Sequence, residues 1–187
     1  LSIAQLKAEP SGIDLGALKP LLPKRLFTDD KKIDLAPGLL IADLKRVQRF
    51  IQTAKEGQPQ LVLIGRRQLR SNNSWMHNSY RLVKGGDRCT LLIHPNDAQQ
   101  AGISNAQQVQ VSSRVGSISI KAEISDEMME GVVSIPHGWG HNREGVEMET
   151  AKAHAGVSVN DLTDELFIDE LTGNAAFNGV FVTVKGN

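Results

Sequence analysis

Six or so short apolar runs, separated by turns and loops, set the main limit on how this chain can fold. Gln60 to Gly65 (Gln-Leu-Val-Leu-Ile-Gly) is continuous and apolar, as expected of a strand buried on both faces. Thr90 to Ile93 repeats that pattern. From Gln108 the pattern changes: Val109 and Val111 alternate with polar residues, Gly116 makes a turn, and Ile118, Ile120, Ala122 and Ile124 resume the alternation. Period-two alternation on both sides of a glycine describes a hairpin with one buried face. Val132 to Ile135 and the β-branched Val180 to Val184 complete the set. Strands this short, with few helices between them, cannot build a doubly wound α/β sheet. They specify a mainly β chain with short helices whose sheet closes into a barrel.

The remaining segments carry fewer signals. Residues 1–38 hold Glu9-Pro10-Ser11-Gly12, Lys19-Pro20, Leu22-Pro23 and Asp29-Asp30-Lys31-Lys32 with no usable period. The expectation is an irregular, extended arm in which Leu21, Leu22, Leu26 and Phe27 lack partners in an isolated fragment. Residues 39–187 are expected to form the barrel domain, introduced by a helix over 39–56. Leu40, Leu44, Val47 and Ile51 recur there at spacings of three and four, and Gly57 stands ready to end it. His94-Pro95 should start a short helix that Gly102 closes. Ser125 can cap a single turn over 126–130 that Gly131 stops. Arg66 to Asn78 is a long polar loop, and long loops inside compact domains are usually functional.

Composition excludes several classes. The formal net charge is zero, so nothing electrostatic points to nucleic acid or a membrane surface. No apolar run approaches the roughly 20 residues that span a bilayer. The single cysteine, Cys89, rules out a disulfide framework and a cysteine-ligated iron–sulfur cluster. It leaves the compartment open, with cytoplasm favoured over periplasm. The first residue is Leu1 and no start signature follows it, which reads as a fragment of a longer polypeptide.

His77, His137, His141 and His154 invite a metal site, but only His137 and His141 are four apart. Gly138 and Gly140 between them break the helix that such a pair would need, so no metal ligand is assigned. Ser74 with a histidine and an aspartate lacks the Gly-x-Ser-x-Gly elbow of a hydrolase. No catalytic residue is assigned either.

Four stretches in order combine strand ends with amide-rich or aromatic residues. They are Gly65-Arg66-Arg67 with Asn72-Asn73-Ser74-Trp75-Met76-His77-Asn78, His94-Pro95-Asn96-Asp97-Ala98, Ile135-Pro136-His137-Gly138-Trp139-Gly140-His141, and Asn160-Asp161-Leu162-Thr163-Asp164 with Gly173 and Phe177-Asn178. Alone, each is an ordinary loop. In this order the chain resembles the C-terminal dinucleotide-binding domain of the molybdopterin oxidoreductases, closely over about residues 58–185. That family includes formate dehydrogenases, nitrate reductases and sulfoxide reductases.

The resemblance implies a double-psi β-barrel in which the loop after the first strand, the segment around the final helix and the loop before the last strand approach the cofactor. It implies a molybdopterin guanine dinucleotide carrying molybdenum in the parent enzyme, with none expected on the fragment. The upstream domains of the same polypeptide are the implied partners, and the isolated piece is expected to be catalytically silent. Carried over to this sequence, the cofactor-binding set is Gly65, Arg66, Arg67, Asn72, Asn73, Ser74, Trp75, Met76, His77, Asn160, Phe177 and Asn178.

The chemistry of these residues suits such a ligand. Carboxamides both donate and accept, as a pterin ring requires. Arginines give forked bonds to a pyrophosphate, and Gly65 lets backbone approach closely. Trp75, Met76 and Phe177 supply apolar wall. The competing reading is a barrel used as an adaptor module, with the proline-rich arm docking a partner. It leaves the Arg66-Arg67 pair and the three asparagines of the 66–78 loop unexplained.

Overall fold

The computed structural model describes residues 1–55 and 61–186. The chain divides into two units, Leu1–Gln52 and Thr53–Asn187. In the first, helix α1 (Ile3–Ala8) starts at a capping box: Ser2 Oγ accepts from the Gln5 amide while the Gln5 side chain accepts from Ser2 N. Turns and bends then run to helix α2 (Gly38–Lys55), the helix expected over 39–56; its proposed stop at Gly57 lies outside the described residues. Leu15, Leu18, Leu21, Leu22, Phe27, Ile33 and Leu35 are exposed, as are Leu40, Leu44, Val47 and Ile51 on the apolar stripe of α2. No helix is long and apolar enough to cross a membrane among the described residues.

The second unit is a closed barrel of six strands. These are β1 (Leu61–Arg66), β2 (Thr90–Ile93), β3 (Gln108–Ser112), β4 (Ser117–Ile124), β5 (Val132–Pro136) and β6 (Val180–Gly186). They neighbour one another in the order β1-β5-β2-β4-β3-β6, with β6 returning to β1. Two pairs are parallel, β1 with β5 and β2 with β4, and the rest are antiparallel. The mainly β closed barrel expected from the strand pattern is the architecture observed.

The core follows from the alternation. Val109 and Val111 on β3, Ile118, Ile120 and Ala122 on β4, and Val180, Val182 and Val184 on β6 point inward and are buried, while their neighbours on the same strands are exposed. Leu63, Leu91, Ile93, Val133 and Ile135 fill the centre. On β5 the whole run 133–136 is buried. The short helices are α3 (Tyr80–Val83), α4 (Pro95–Gln100), α5 (Glu149–Ala153) and a 3-10 turn over Val159–Leu162. As expected, α4 has Pro95 in its first turn and Gly102 in the left-handed region after it. Ser125 caps the turn expected behind it, its Oγ accepting from Glu127 N at 3.2 Å.

The last third is held by ion pairs. Arg114, beside the β3–β4 turn, makes two hydrogen bonds to Asp164, and Arg143 pairs with Asp161. The Arg114 bonds and the Leu166 amide hold the Asp164 carboxyl down at about 2. Gly116 is what lets the turn approach: a Cβ there would lie 2.3 Å from the Asp161 carbonyl oxygen.

Candidate functional site at the barrel rim

Three segments far apart in sequence meet where β1 ends. Gly65, Arg66 and Arg67 from the end of β1, Asn160 and Thr163 from the 3-10 turn, and Phe177-Asn178 before β6 line one cavity of about 370 Å³. Asn178 closes the corner, its Oδ1 accepting from Gly65 N at 2.7 Å. Its Nδ2 and the whole Asn160 carboxamide have no partner among the described residues, so both amides stay available. Phe177 presents an exposed apolar ring at the same place. The remaining walls are Val159 and His137.

The two arginines are not equivalent. Arg66 turns into the barrel wall: Nη1 donates to the Ser134 carbonyl at 2.5 Å, and Nη2 to the Thr90 carbonyl at 2.8 Å and Thr90 Oγ1 at 2.9 Å. Thr90 Oγ1 in turn donates to Glu123 at 2.6 Å. Burial pulls the Arg66 pKa down from its ordinary value, opposed by the Glu123 carboxylate. This guanidinium ties β1 to β5 and β2 and has few donors left for a ligand. Arg67 keeps more: it is exposed and gives one bond, Nη1 to Asn73 Oδ1 at 2.5 Å.

That bond is how the 66–78 loop reaches the cavity. Asn72 and Asn73 both sit at positive φ (44° and 62°), which asparagine tolerates better than most residues. Trp75 is 84% exposed and Met76 is also exposed, while Ser74 is partly buried. None of Asn72, Asn73, Ser74, Trp75, Met76 or His77 lines the rim cavity, Asn73 touching it only through Arg67. Asn78 acts structurally, its Oδ1 accepting from Ala151 N at 3.3 Å. Gly138 (φ 96°) allows the loop to lie against the β5 exit, since a Cβ there would stand 2.1 Å from the Asn73 carbonyl oxygen.

His77 is only 2% exposed and its Nδ1 lies 2.7 Å from Nε2 of His141, itself 8% exposed. Trp139 packs on the His77 ring, centroids 4.3 Å apart. Burial, then the neighbouring His141, push the His77 pKa down to about 4, with the Gly138 backbone pulling the other way. His141 is lowered by burial as well. Spacing alone relates His141 to His137, a pair the sequence leaves unassigned; the fold pairs His141 with His77, across 64 positions.

His137 stands in the Ile135–His141 motif but outside the cofactor-binding set that the resemblance implies. Here it belongs to the rim cavity, and its buried Nε2 has no hydrogen-bond partner. Burial lowers its pKa, and the Arg67 charge lowers it further, so the ring is neutral near pH 7. Its signal in the sequence was its place directly after a buried strand, next to a glycine. Thr163 was visible only as part of the Asn-Asp-Leu-Thr run.

A closed barrel with a rim cavity, lined by free amides, a cation and one flat apolar ring, defines a small-ligand-binding domain. Its lineage is specific: residues 61–181 match the profile of the molydopterin dinucleotide binding domain, and the chain belongs to that family. It is 33% identical over 125 residues to the molybdopterin-containing subunit of arsenate respiratory reductase from Chrysiogenes arsenatis, covering 64% of this chain and 15% of that one. It is 34% identical over 68 residues to a dimethyl sulfoxide reductase of Escherichia coli strain K12, covering 35% of this chain and 8% of that one. Among solved structures, acetylene hydratase from Pelobacter acetylenicus shares the fold with a TM-score of 0.57 at 20% identity, over 68% of this chain and 18% of that one. The chain thus spans under a fifth of the length of each of these proteins.

Proposed function

We propose that this barrel binds and orients a molybdopterin guanine dinucleotide inside a larger molybdenum-dependent oxidoreductase. The observation that carries the reading is the convergence of Arg67, Asn160, Asn178, Phe177 and the unpartnered His137 Nε2 on one cavity. The donor set fits the ligand. Arg67 suits a pyrophosphate oxygen, and the free Asn160 carboxamide with the Asn178 Nδ2 matches the mixed donors and acceptors of a pterin or guanine edge. Phe177 offers a face for a flat ring, and neutral His137 supplies one more polar contact. When bound, the group supplies two-electron redox chemistry at its metal. The residues here bind it, fix its orientation and exclude water from one side.

In this reading Arg66 shapes the site from behind, holding the end of β1 so that Gly65 and Arg67 face the ligand. Asn72, Ser74, Trp75 and Met76 meet the cofactor or the upstream domains only in the full polypeptide, which would cover the exposed indole of Trp75. The exposed apolar residues of α2 and the arm suit the same neighbours. The isolated chain is catalytically silent and binds free guanine nucleotide weakly, because half a pocket leaves most of a ligand in water.

The test is cofactor retention in the full polypeptide. Arg67→Ala removes a charge-assisted bond worth about 1.5–3 kcal/mol, or about ten- to a hundredfold in affinity. Faster loss of molybdenum and pterin on dialysis is expected, with Arg67→Lys intermediate. Retention equal to the parent protein in an Arg67→Ala, Asn160→Ala double variant overturns the assignment.

A further inference from the structure

The run Val159-Asn160-Asp161-Leu162-Thr163-Asp164 sorts its side chains by threes. Val159 and Leu162 are buried in the barrel core. Asn160 and Thr163 line the rim cavity. Asp161 and Asp164 take the two arginines, Arg143 and Arg114. A repeat of three is the period of a 3-10 turn, in which side chains at i and i+3 eclipse. One face sinks into the core, one borders the ligand space, and one is gripped from outside.

Left to itself the turn would be poorly held. It is four residues long, Ser158 gives it no side-chain cap, and its closing bond, Thr163 N to the Asn160 carbonyl, is 3.3 Å. Two buried side chains fix its depth but let it rock about the line between them. The arginines oppose that rotation, and they come from separate loops. Arg114 stands in the β3–β4 turn and grips Asp164 with Nε and Nη2, the latter at 2.6 Å, while Glu165 Oε1 lies 3.6 Å from the same Nη2. Arg143 belongs to the loop after β5. That loop reaches the turn because Gly140 packs on Ser158, where a Cβ would lie 2.7 Å from the Ser158 Cβ. Exposed ion pairs add little to global stability, but a forked guanidinium fixes direction as well as distance. Orientation is what such pairs can supply here.

We propose that Arg114 and Arg143 are positioning residues for the rim site: they clamp the 3-10 turn and thereby aim the Asn160 carboxamide and Thr163 at the bound ligand. The inference rests on the rim cavity being the cofactor site. Neither arginine lines that cavity, so each acts only through the turn.

Two measurements test it. In the 187-residue chain, amide relaxation should show the Asn160 order parameter falling from about 0.85 to below about 0.6 in an Arg114→Gln, Arg143→Gln double variant. The melting temperature should move by less than about 4 °C. Arg114→Lys, which keeps the charge but loses the fork, should be intermediate in order parameter. In the full polypeptide the double variant should lose pterin about two- to tenfold faster on dialysis, the effect of one misplaced hydrogen bond. That acceleration should vanish in an Asn160→Ala, Thr163→Val background, because residues acting through the same contacts do not add. An unchanged order parameter overturns the proposal. So does an acceleration that persists in full in that background, or a loss of folding in both the double variant and Arg114→Lys, which would make the arginines plain stabilisers. Retention equal to the parent protein when only Asn160 and Thr163 are replaced overturns the cofactor reading instead; relaxation still reports separately whether the clamp holds the turn.

Discussion

Arg66→Ala should lower the melting temperature of this chain by about 10 °C, whereas Arg67→Ala should leave it nearly unchanged. The arginines are adjacent, yet only the first is built into the wall. Removing the Arg66 guanidinium leaves the Ser134 carbonyl, the Thr90 carbonyl and the Thr90 hydroxyl without their donor between β1, β2 and β5. Each charge-assisted bond is worth about 1.5–3 kcal/mol singly, and groups sharing one network do not add fully. A net loss of about 3 kcal/mol is expected, and for a domain of this size each kcal/mol shifts the midpoint by about 2–4 °C. Arg66→Lys should recover only part, because an ammonium cannot span two carbonyls on different strands. Thermal denaturation of the three variants at pH 7.5 decides it. Equal midpoints for Arg66→Ala and Arg67→Ala would show that the inward network contributes nothing.

Acid should destabilise the fold well before its carboxylates titrate. His77 is held neutral with a pKa of about 4, below the ordinary 6.5 that it regains on unfolding. The unfolded chain therefore takes up a proton between those values that the folded chain refuses. This part of the stability is complete above about pH 6.5 and drains away as pH falls towards 4. His141 and His137 are lowered too and add in the same direction. The Asp164 carboxyl, held at about 2, keeps its contribution down to about pH 3.8 and loses it only as pH falls from there towards 2. Melting curves from pH 7.5 to 4.5 should show a steady fall, with a clearly smaller slope in His77→Gln. An unchanged slope in that variant would mean that the buried pair is not what refuses the proton.

How much of this was legible beforehand depends on the range of the interaction. Strands, α2, the β3–β4 hairpin and the Pro95 helix start were readable, because alternation, glycine turns and caps act over a few residues. The helices α1, α3 and α5 were not: each is six residues or fewer, too short for a period to emerge. Ser2 with Gln5 was the only local sign of the first. In the candidate site, Gly65, Arg67, Asn160, Phe177 and Asn178 do share a cavity, as the ordered motifs implied. The opposite fates of Arg66 and Arg67 were hidden, since what separates them is a carbonyl on β5, 68 positions away. The same holds for His77 and His141, whose pairing depends on strand packing that no spacing rule encodes.

The way the barrel closes also sets a timetable for its synthesis. Leu61 on β1 pairs with Val182 on β6, and β6 also completes β3. A ribosome adding about 5–20 residues per second therefore delivers β6 roughly 6–24 s after β1. Until then β1, an apolar run, lacks its antiparallel neighbour, and β3, with alternating valines, exposes one flank, and unpaired strand edges recruit other chains. A nascent chain stalled before residue 180 is thus an open sheet with two sticky margins, and holdase chaperones should capture that species far more than the finished barrel.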